Sequence, residues 1–224
     1  MTLDRDGYPF IALASIPALI GAALRHRRLA LFLAVLPVAV GAFFRDPDRR
    51  PDLGAPFSPD DVVSPADGKV MHVGEPLPGT APAGTWQQVS IFLSVADVHI
   101  NRSPYGGRIT EVTYRPGKFH AAYKAESADQ NERSEITVTR AVDGQRRTVV
   151  FRQIVGVMAR RVVTRVAAGD DVATGERIGL MKFGSRMDVF VPPGVDVLVA
   201  KGDRVVAGET TIARWPTAVA RTVA

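Results

Sequence analysis

Two long apolar runs open the chain. Tyr8 to Leu24 contains no charged residue, and neither does Leu29 to Phe44. Each run is slightly shorter than the roughly 20 residues that cross a bilayer core as an upright helix. A proline inside each run, Pro17 and Pro37, predicts a kinked helix. The pattern predicts a helical hairpin over residues 1–44 that anchors the chain in a membrane, with a buried hairpin packed on the rest of the protein as the alternative.

The basic turn at residues 25–28, between the two runs, leaves the topology of the anchor open. A hairpin that spans the bilayer places this turn opposite the main domain, and the positive-inside rule then places that domain outside. A monotopic insertion into one leaflet keeps the turn at the headgroups where it entered. We expect an anchor in the cell membrane with the main domain on its cytoplasmic face.

The hydrophobic pattern changes after the second apolar run. Residues 45–61 are rich in proline and charge, which predicts an exposed linker. From residue 62 onward, short β-branched runs are bounded by Gly, Pro and Asp, as in "QQVSIFLSV", "GRITEVTYR" and "SEITVTRAV". Such runs are typical of strands. The sequence therefore predicts a mainly β fold over residues 62–224, of sandwich or barrel type, preceded by the apolar helical hairpin.

A weak internal repeat lies in the last third of the chain. "AAGDDVATGERIGLM" begins near Ala167 and "AKGDRVVAGETTIARW" near Ala200, and both contain Gly-Asp-x-Val-x-x-Gly. The pattern resembles the hairpins of lipoyl- and biotinyl-type β-sandwiches. The pair Met181-Lys182 is similar to the Met-Lys pair on which biotin carriers are modified. One hypothesis for function is therefore a membrane-tethered carrier, or a structural β-sandwich, with Lys182 as the attachment site.

Composition narrows the classes of function and partner. The chain has no cysteine, which excludes disulfides, thiolate nucleophiles and cysteine-ligated metals. Its net charge of +5 favours an anionic partner. Aromatic residues make up only 7% and no basic run is interleaved with them, which disfavours nucleic acid and favours an anionic membrane.

Three polar features are candidates for chemistry. His99 follows an apolar run and has Asn101 and Arg102 beside it, a position typical either of a functional site or of a polar strand end. Asp67-Gly68 in "SPADGKV" is a hairpin-turn signal. Gly184-Ser185 interrupts a strand-like run, and a glycine there indicates a bulge or a close backbone approach.

Five blocks that occur in order decide between these interpretations. They are "SPADGKV", "FLSVADVHINRSPYGGRI", "PGKFHAAYKAESADQNERSEITV", "RQIVGVMARRVV" and "GERIGLMKFGSRMDVFVP". Together with the apolar N-terminus, the blocks resemble the phosphatidylserine decarboxylase proenzymes of the short, membrane-anchored type. The resemblance covers most of the chain between Val62 and Pro192.

The resemblance implies a self-made cofactor. The hydroxyl of Ser185 would attack the carbonyl of Gly184, and β-elimination would give a β chain of residues 1–184 and an α chain of residues 185–224. Ser185 would become a pyruvoyl group, which forms a Schiff base with the serine headgroup and converts phosphatidylserine to phosphatidylethanolamine. Neither pyridoxal phosphate nor a metal is implied. An ether-linked lipid of the archaetidylserine type is an alternative substrate.

The resemblance also assigns residues by motif position. Asp67 and His99 are the catalytic residues carried over. Many longer members have a second histidine three positions after the first, and Arg102 stands there in this chain, so the base that activates Ser185 stays open. Arg102 is instead a candidate to bind the substrate carboxylate or phosphate. The other cations considered for the phosphate are Lys118, Lys124, Arg133 and Arg186. The two chains of the precursor are expected to stay partners, and a homodimer is an open alternative because edge strands need covering.

Overall fold

The computed structural model describes residues 1–49, 57–124, 126–157, 161–182 and 185–216. The chain divides into two compact units. The first consists of Met1–Asp48 with the short segment Ala96–Val98, and the second consists of the remaining chain.

The first unit is helical, with one small pair of strands. Its elements are β1 (Thr2–Leu3), α1 (Tyr8–Ala23), α2 (Arg27–Leu33), α3 (Val35–Phe43) and β2 (Arg45–Asp46), with a 3-10 turn at Arg5–Gly7 before α1. Strands β1 and β2 are antiparallel. Gly21 lets α2 approach α1 closely, because a Cβ at this position would lie 3.3 Å from the Cα of Ala30.

The second apolar run forms two helices because of its proline. Pro37 has no amide hydrogen to donate to the carbonyl of Leu33, and the helix is interrupted at Ala34. Within the described residues, the 3-10 turn and α1 together form one helix, Arg5–Ala23, that is long and apolar enough to cross a membrane by length and composition. Most large apolar side chains of the unit are exposed, among them Leu13 and Phe32.

The second unit consists of short strands and one short helix. In chain order they are β3 (Asp61–Val63), β4 (Gly68–Gly74), β5 (Gln87–Leu93), β6 (Ile100–Arg102), β7 (Gly107–Arg115), α4 (Ser127–Gln130), β8 (Arg133–Val142), β9 (Gln145–Val155), β10 (Val162–Thr164), β11 (Asp171–Val172), β12 (Arg177–Met181), β13 (Ser185–Val191), β14 (Asp196–Val197), β15 (Arg204–Val205) and β16 (Thr211–Arg214). The predicted mainly β fold, preceded by apolar helices, is confirmed.

An antiparallel sheet of eight strands organises the second unit. Its order is β11-β7-β8-β9-β13-β5-β4-β15, and two sheets of three strands, β10-β12-β6 and β14-β16-β3, accompany it. Strand β13 lies near the middle of the large sheet and pairs along its length with both β5 and β9. All seven residues of β13 are buried, so both of its faces are covered.

The two faces of β13 differ in chemistry because side chains alternate along a strand. Met187, Val189 and Val191 point into the main hydrophobic core. Ser185 shares their parity and therefore their face. Arg186 and Asp188 point to the opposite face, where they are also fully buried.

The predicted repeat forms two equivalent turns at opposite edges of the large sheet. The Asp170 carboxylate accepts the Ala167 amide and the Asp203 carboxylate accepts the Ala200 amide, both at 2.8 Å. The following short strands, β11 and β15, pair with β7 and β4 and form the two edges. The two copies of the repeat thus form both edge strands of the sheet with the same local structure.

The repeat extends to two earlier segments, "SPADGKV" and "SPYGGRI". Ser64 accepts the Gly208 amide and Ser103 accepts the Gly175 amide through their backbone carbonyls, both at 2.8 Å. Each serine hydroxyl also donates to the carbonyl two residues ahead. The shared Ser-Pro-x-x-Gly pattern is the signal of this repeat in the sequence.

Candidate active site

Ser185 begins β13 and lies between two neighbouring strands. It pairs with Leu93 of β5 and with Val155 of β9. The residue is 0% exposed, and its Oγ has no hydrogen-bond partner in the part of the chain that the structure describes. Buried hydroxyls are normally satisfied, so an orphaned one requires an explanation. Phe183 and the predicted scission residue Gly184 lie outside the described residues.

His99 lies at the same end of the sheet system as Ser185. Its backbone carbonyl accepts a hydrogen bond of 3.3 Å from the amide of Met181, the last residue of β12. Four residue steps join Met181 to Ser185, and an extended chain of that length spans at most about 14 Å. The side chain of His99 is 1% exposed. The structure therefore places His99 beside the end of β12, from which the chain leads to Ser185 in four residue steps, and both residues are buried.

A chain of buried amides lies on the face of the sheet that Ser185 shares. Thr164 Oγ1 donates to Gln153 Oε1, and Gln153 Nε2 donates to Asn101 Oδ1, each at 2.8 Å. The Nδ2 atom of Asn101 is buried and has no partner among the described residues. Gln153 pairs with Met187, one step along the same face from Ser185. The unit therefore holds a second orphaned polar atom close to the serine.

Sequence reasoning missed Gln153, although a signal was present. Phe151, Gln153 and Val155 share one face of β9. In a half-buried strand, all residues on the inward face should be apolar. Gln153 breaks that alternation while remaining 0% exposed. A polar residue at a core position of a strand is a reason to look for a buried polar site.

Asp67 lies two strands away from Ser185, at the turn before β4. Strand β5 lies between β4 and β13. At the usual strand spacing, Asp67 and Ser185 are therefore about 10 Å apart. Both carboxylate oxygens of Asp67 are engaged: Oδ1 accepts the Ala207 amide at 2.8 Å and Oδ2 pairs with Arg49 Nη2 at 2.7 Å. In this arrangement Asp67 holds the turn of the repeat in place.

Arg102 ends β6 and points into the same pair of turns. Its Nη1 donates to the carbonyl of Gly175 at 2.9 Å, and its backbone amide donates to the carbonyl of Pro65 at 2.9 Å. Gly208 makes room for the arginine, since a Cβ there would lie 2.8 Å from Arg102 Cδ. Arg102 is 5% exposed. The guanidinium is therefore packed among the turn carbonyls.

Arg186 is buried on the face of β13 opposite to Ser185. Its Nε pairs with Asp188 Oδ1 at 2.6 Å, and its Nη2 donates to Ser90 Oγ at 3.0 Å. Both ionic side chains are 0% exposed. Arg186 Nη1 and Asp188 Oδ2 have no hydrogen-bond partner among the described residues.

Lys124 lies in the loop that precedes β8, and Arg133 is the first residue of β8. Arg133 Nη2 is 3.5 Å from Asp129 Oδ1, and Nη1 donates to the carbonyls of Asp129 and Asn131. Burial, together with the neighbouring guanidinium of Arg152, lowers the pKa of Arg133. Lys124 is exposed. An anion near Arg133 would relieve its repulsion with Arg152.

Asn131 connects this loop to the strand beside Ser185. Its Oδ1 accepts the His120 amide at 2.8 Å, and its Nδ2 donates to the carbonyls of His120 at 2.8 Å and Val155 at 2.7 Å. Val155 is the pairing partner of Ser185. The completely buried Asn131 therefore fixes the loop at the Ser185 end of the sheet, a role that sequence reasoning did not identify.

Comparison with known proteins places the chain in a family. The sequence model of the family described as phosphatidylserine decarboxylase matches residues 38–213, which is well over half of the chain. The chain belongs to the phosphatidylserine decarboxylase family. The matched span includes every predicted catalytic residue, from Asp67 through His99 to Ser185.

Individual members of the phosphatidylserine decarboxylase family match almost end to end. A protein of Symbiobacterium thermophilum is 46% identical over 96% of this chain and 96% of its own length. Others are from Anaplasma phagocytophilum, 40% identical over 94% of this chain and 90% of its own length, and from Solidesulfovibrio magneticus, 43% identical over 95% of both. All three are named phosphatidylserine decarboxylase proenzyme. These matches favour the decarboxylase hypothesis over a carrier modified at Lys182.

Proposed function

We propose that this chain is a precursor that cleaves itself between Gly184 and Ser185 and then decarboxylates phosphatidylserine to phosphatidylethanolamine. The orphaned, fully buried Oγ of Ser185 carries the proposal. Ser134 also has a buried Oγ without a partner among the described residues, but only Ser185 directly follows a glycine at the start of a central strand. The proenzyme names of the relatives support a precursor.

The proposed self-cleavage uses the position of Ser185 directly after a glycine. Ser185 Oγ attacks the carbonyl carbon of Gly184, the C–N bond breaks, and an ester replaces the amide. Loss of the Cα proton of Ser185 then expels the Gly184 carboxylate from Cβ and leaves a dehydroalanine. Addition of water releases ammonia and leaves a ketone at the new N-terminus. Gly184 has no Cβ to obstruct the attack.

The residues around Ser185 fit a pyruvoyl group at that position. Such a group supplies a ketone that condenses with the substrate amine and withdraws electrons as carbon dioxide leaves. His99, buried beside the end of β12, is the proton-transfer residue of this proposal. The orphaned Nδ2 of Asn101 is a donor for the negative charge that develops on a carbonyl oxygen.

The substrate phosphate needs a cation close to the Ser185 end of the sheet. We favour Arg133 and Lys124, because their loop is held beside Val155 and Lys124 is exposed. Arg102 and Arg186 are both buried and hydrogen-bonded within the protein, so we assign them to the fold.

The helical first unit supports the membrane part of the proposal. Helix Arg5–Ala23 is long and apolar enough to reach across a bilayer. A lipid with two acyl chains must be met at a membrane, so an anchor keeps the site near its substrate. We propose the cell membrane as the location, with the second unit on the cytoplasmic face.

Mass spectrometry under denaturing conditions tests the proposal. The purified protein should give two chains that separate between Gly184 and Ser185, with a carbonyl-reactive cap on the smaller one. Ser185→Ala should give a single chain and no release of carbon dioxide from phosphatidylserine. Ser134→Ala is the matched control, because Ser134 is a buried strand serine whose Oγ also lacks a partner among the described residues. A wild-type protein that remains a single chain would refute self-cleavage.

A second variant tests the donor role of Asn101. Asn101→Asp keeps the size of the side chain and the Oδ1 that accepts from Gln153, and replaces the orphaned Nδ2 donor by an oxygen. We expect slower scission or slower turnover, by roughly a hundredfold if this amide faces the developing charge. Normal rates for both steps would assign Asn101 to the fold alone.

A further inference from the structure

Large apolar side chains are exposed beside the candidate active site. Phe119 is 41% exposed, Tyr123 is 65% exposed and Val157 is 58% exposed. Aromatic side chains usually bury most of their surface, and neighbouring exposed ones mark an interaction surface. Lys118 and Lys124 lie next to the two aromatic residues in the sequence. We call these five residues the rim.

The rim lies at the end of the sheet at which Ser185 lies, and its Tyr123 packs on the face opposite to the Ser185 side chain. Asn131 Nδ2 donates to the carbonyls of His120 and Val155. His120 directly follows Phe119, and Val155 lies two residues before Val157. The ring of Tyr123 meets that of Phe92 edge-on at 6.2 Å. Phe92 in turn pairs with Arg186, the residue after Ser185.

The charges around the rim are mostly positive. Lys118 and Lys124 are exposed, and so are Arg115, which pairs with Arg133 on β8, and Arg161, which precedes β10. Asp129 is paired with Arg133, which leaves Glu126 as the exposed carboxylate of this loop without an ion pair among the described residues. Aromatic residues flanked by lysines suit the headgroup region, because rings enter the interface while ammonium groups reach lipid phosphates.

We propose that the rim docks on an anionic bilayer and is a second membrane contact of the chain, in addition to the apolar helices. Its use rests on the proposed function: a rim on the membrane lets the headgroup of a lipid reach Ser185 while its acyl chains stay in the bilayer. The docking itself requires only anionic lipid. Charge complementarity selects a membrane over a protein partner, because the exposed cations surround the apolar side chains.

Site-specific fluorescence tests the docking on the full chain. The protein has no cysteine, so Tyr123→Cys and the control Leu198→Cys each provide one labelling site. Leu198 is 51% exposed and follows β14, away from the rim. Both variants are labelled with an environment-sensitive dye and reconstituted in phosphatidylcholine vesicles with or without phosphatidylglycerol, an anionic lipid that lacks the serine headgroup.

Docking predicts a blue shift and quenching by a lipid-borne quencher at position 123 when phosphatidylglycerol is present, and neither at position 198. Lys118→Glu should weaken the docked state at least about fivefold, as expected for one lysine near an anionic surface. Lys201→Glu, in an exposed turn elsewhere, should not weaken it. Equal signals at both labels, or a shift that does not depend on phosphatidylglycerol, would overturn the proposal. A shift without quenching by the lipid-borne quencher would indicate a protein contact instead.

The same measurement separates the docking from the chemistry. With Ser185→Ala, the chain stays whole and inactive, and the rim should still dock. Docking in a wild-type protein that neither cleaves itself nor releases carbon dioxide would refute the proposed function and leave the rim intact. Cleavage and turnover without docking would do the reverse.

Discussion

The ion pair between Arg186 and Asp188 is a pair of charges completely removed from water, one residue from Ser185. Their contact of 2.6 Å is supported by Ser90, which accepts from Arg186 Nη2. Charges without solvent need such partners, because an isolated buried charge is strongly unfavourable. The pair fixes the side chains that directly follow the proposed scission point.

Removal of one partner should therefore destabilise the protein strongly. Asp188→Asn leaves a buried guanidinium without a counter-charge, and we expect a loss of about 3–5 kcal/mol. The double variant Arg186→Leu/Asp188→Leu removes both charges and should lose less. Denaturant unfolding of these variants in the uncleaved Ser185→Ala background measures both effects on a single chain. A double variant as unstable as the single one would show that packing, not charge, dominates at this position.

At His99 we expect a loss of chemistry without a loss of fold. His99→Ala should leave most of the chain uncleaved, or leave a cleaved enzyme that is nearly inactive. Gel analysis of the two chains and release of carbon dioxide measure the two steps separately. His72→Ala is the control, since the ring of His72 bonds to the Glu75 carbonyl at 2.7 Å in an exposed position. Complete processing with normal turnover in His99→Ala would remove this residue from the mechanism.

At the scale of elements, β12 leads the chain to Ser185 and depends on a close approach at Gly179. This residue has φ of +152°, and a Cβ on it would lie 2.0 Å from the carbonyl oxygen of Val163 on β10. No small adjustment accommodates such a contact with backbone. Strand β12 can pair with β10 as it does only because position 179 is glycine.

Gly179→Ala should therefore push β10 away from β12 and displace the path to Ser185. We expect lower thermal stability and slower self-cleavage, measured by melting and by the rate at which the precursor disappears. Gly74→Ala is the control, because Gly74 also has a positive φ, +127°, but a Cβ there meets nothing within 4 Å. An equal effect of the two substitutions would mean that backbone strain, not the clash, is responsible.

At the scale of the whole molecule, the proposed α chain is built into the sheets of the β chain. It contributes β13, which pairs with β5 and β9, as well as β15, which pairs with β4, and β16, which pairs with β3. A central strand held on both sides does not dissociate without opening the sheet.

The two chains should therefore stay together after scission. Native mass spectrometry of the cleaved protein in detergent should give one particle that contains both chains in equal number. Denaturing conditions should separate them. Loss of the small chain under native conditions would show that the pairing of β13 does not survive the cut.

The sequence predicted the elements better than their arrangement. Apolar runs predicted the helices and β-branched runs the strands, because both signals are local. The place of β13 between β5 and β9 depends on partners far apart in the chain, and no local pattern encodes that choice. Arg186 was one of several cations considered for the phosphate, because the sequence does not show which of them are buried. In the structure, the face that carries it is covered, and Ser90 and Asp188 surround it.

The central position of β13 also sets an order of events for biosynthesis. If the halves on either side of Gly184 were made as separate polypeptides, the larger half would have a gap between β5 and β9, with two open strand edges prone to aggregation. A single continuous chain fills that gap during folding. If the proposed scission occurs, it therefore has to follow folding, and the cleaved protein would lack, after unfolding, the covalent link that assembled it.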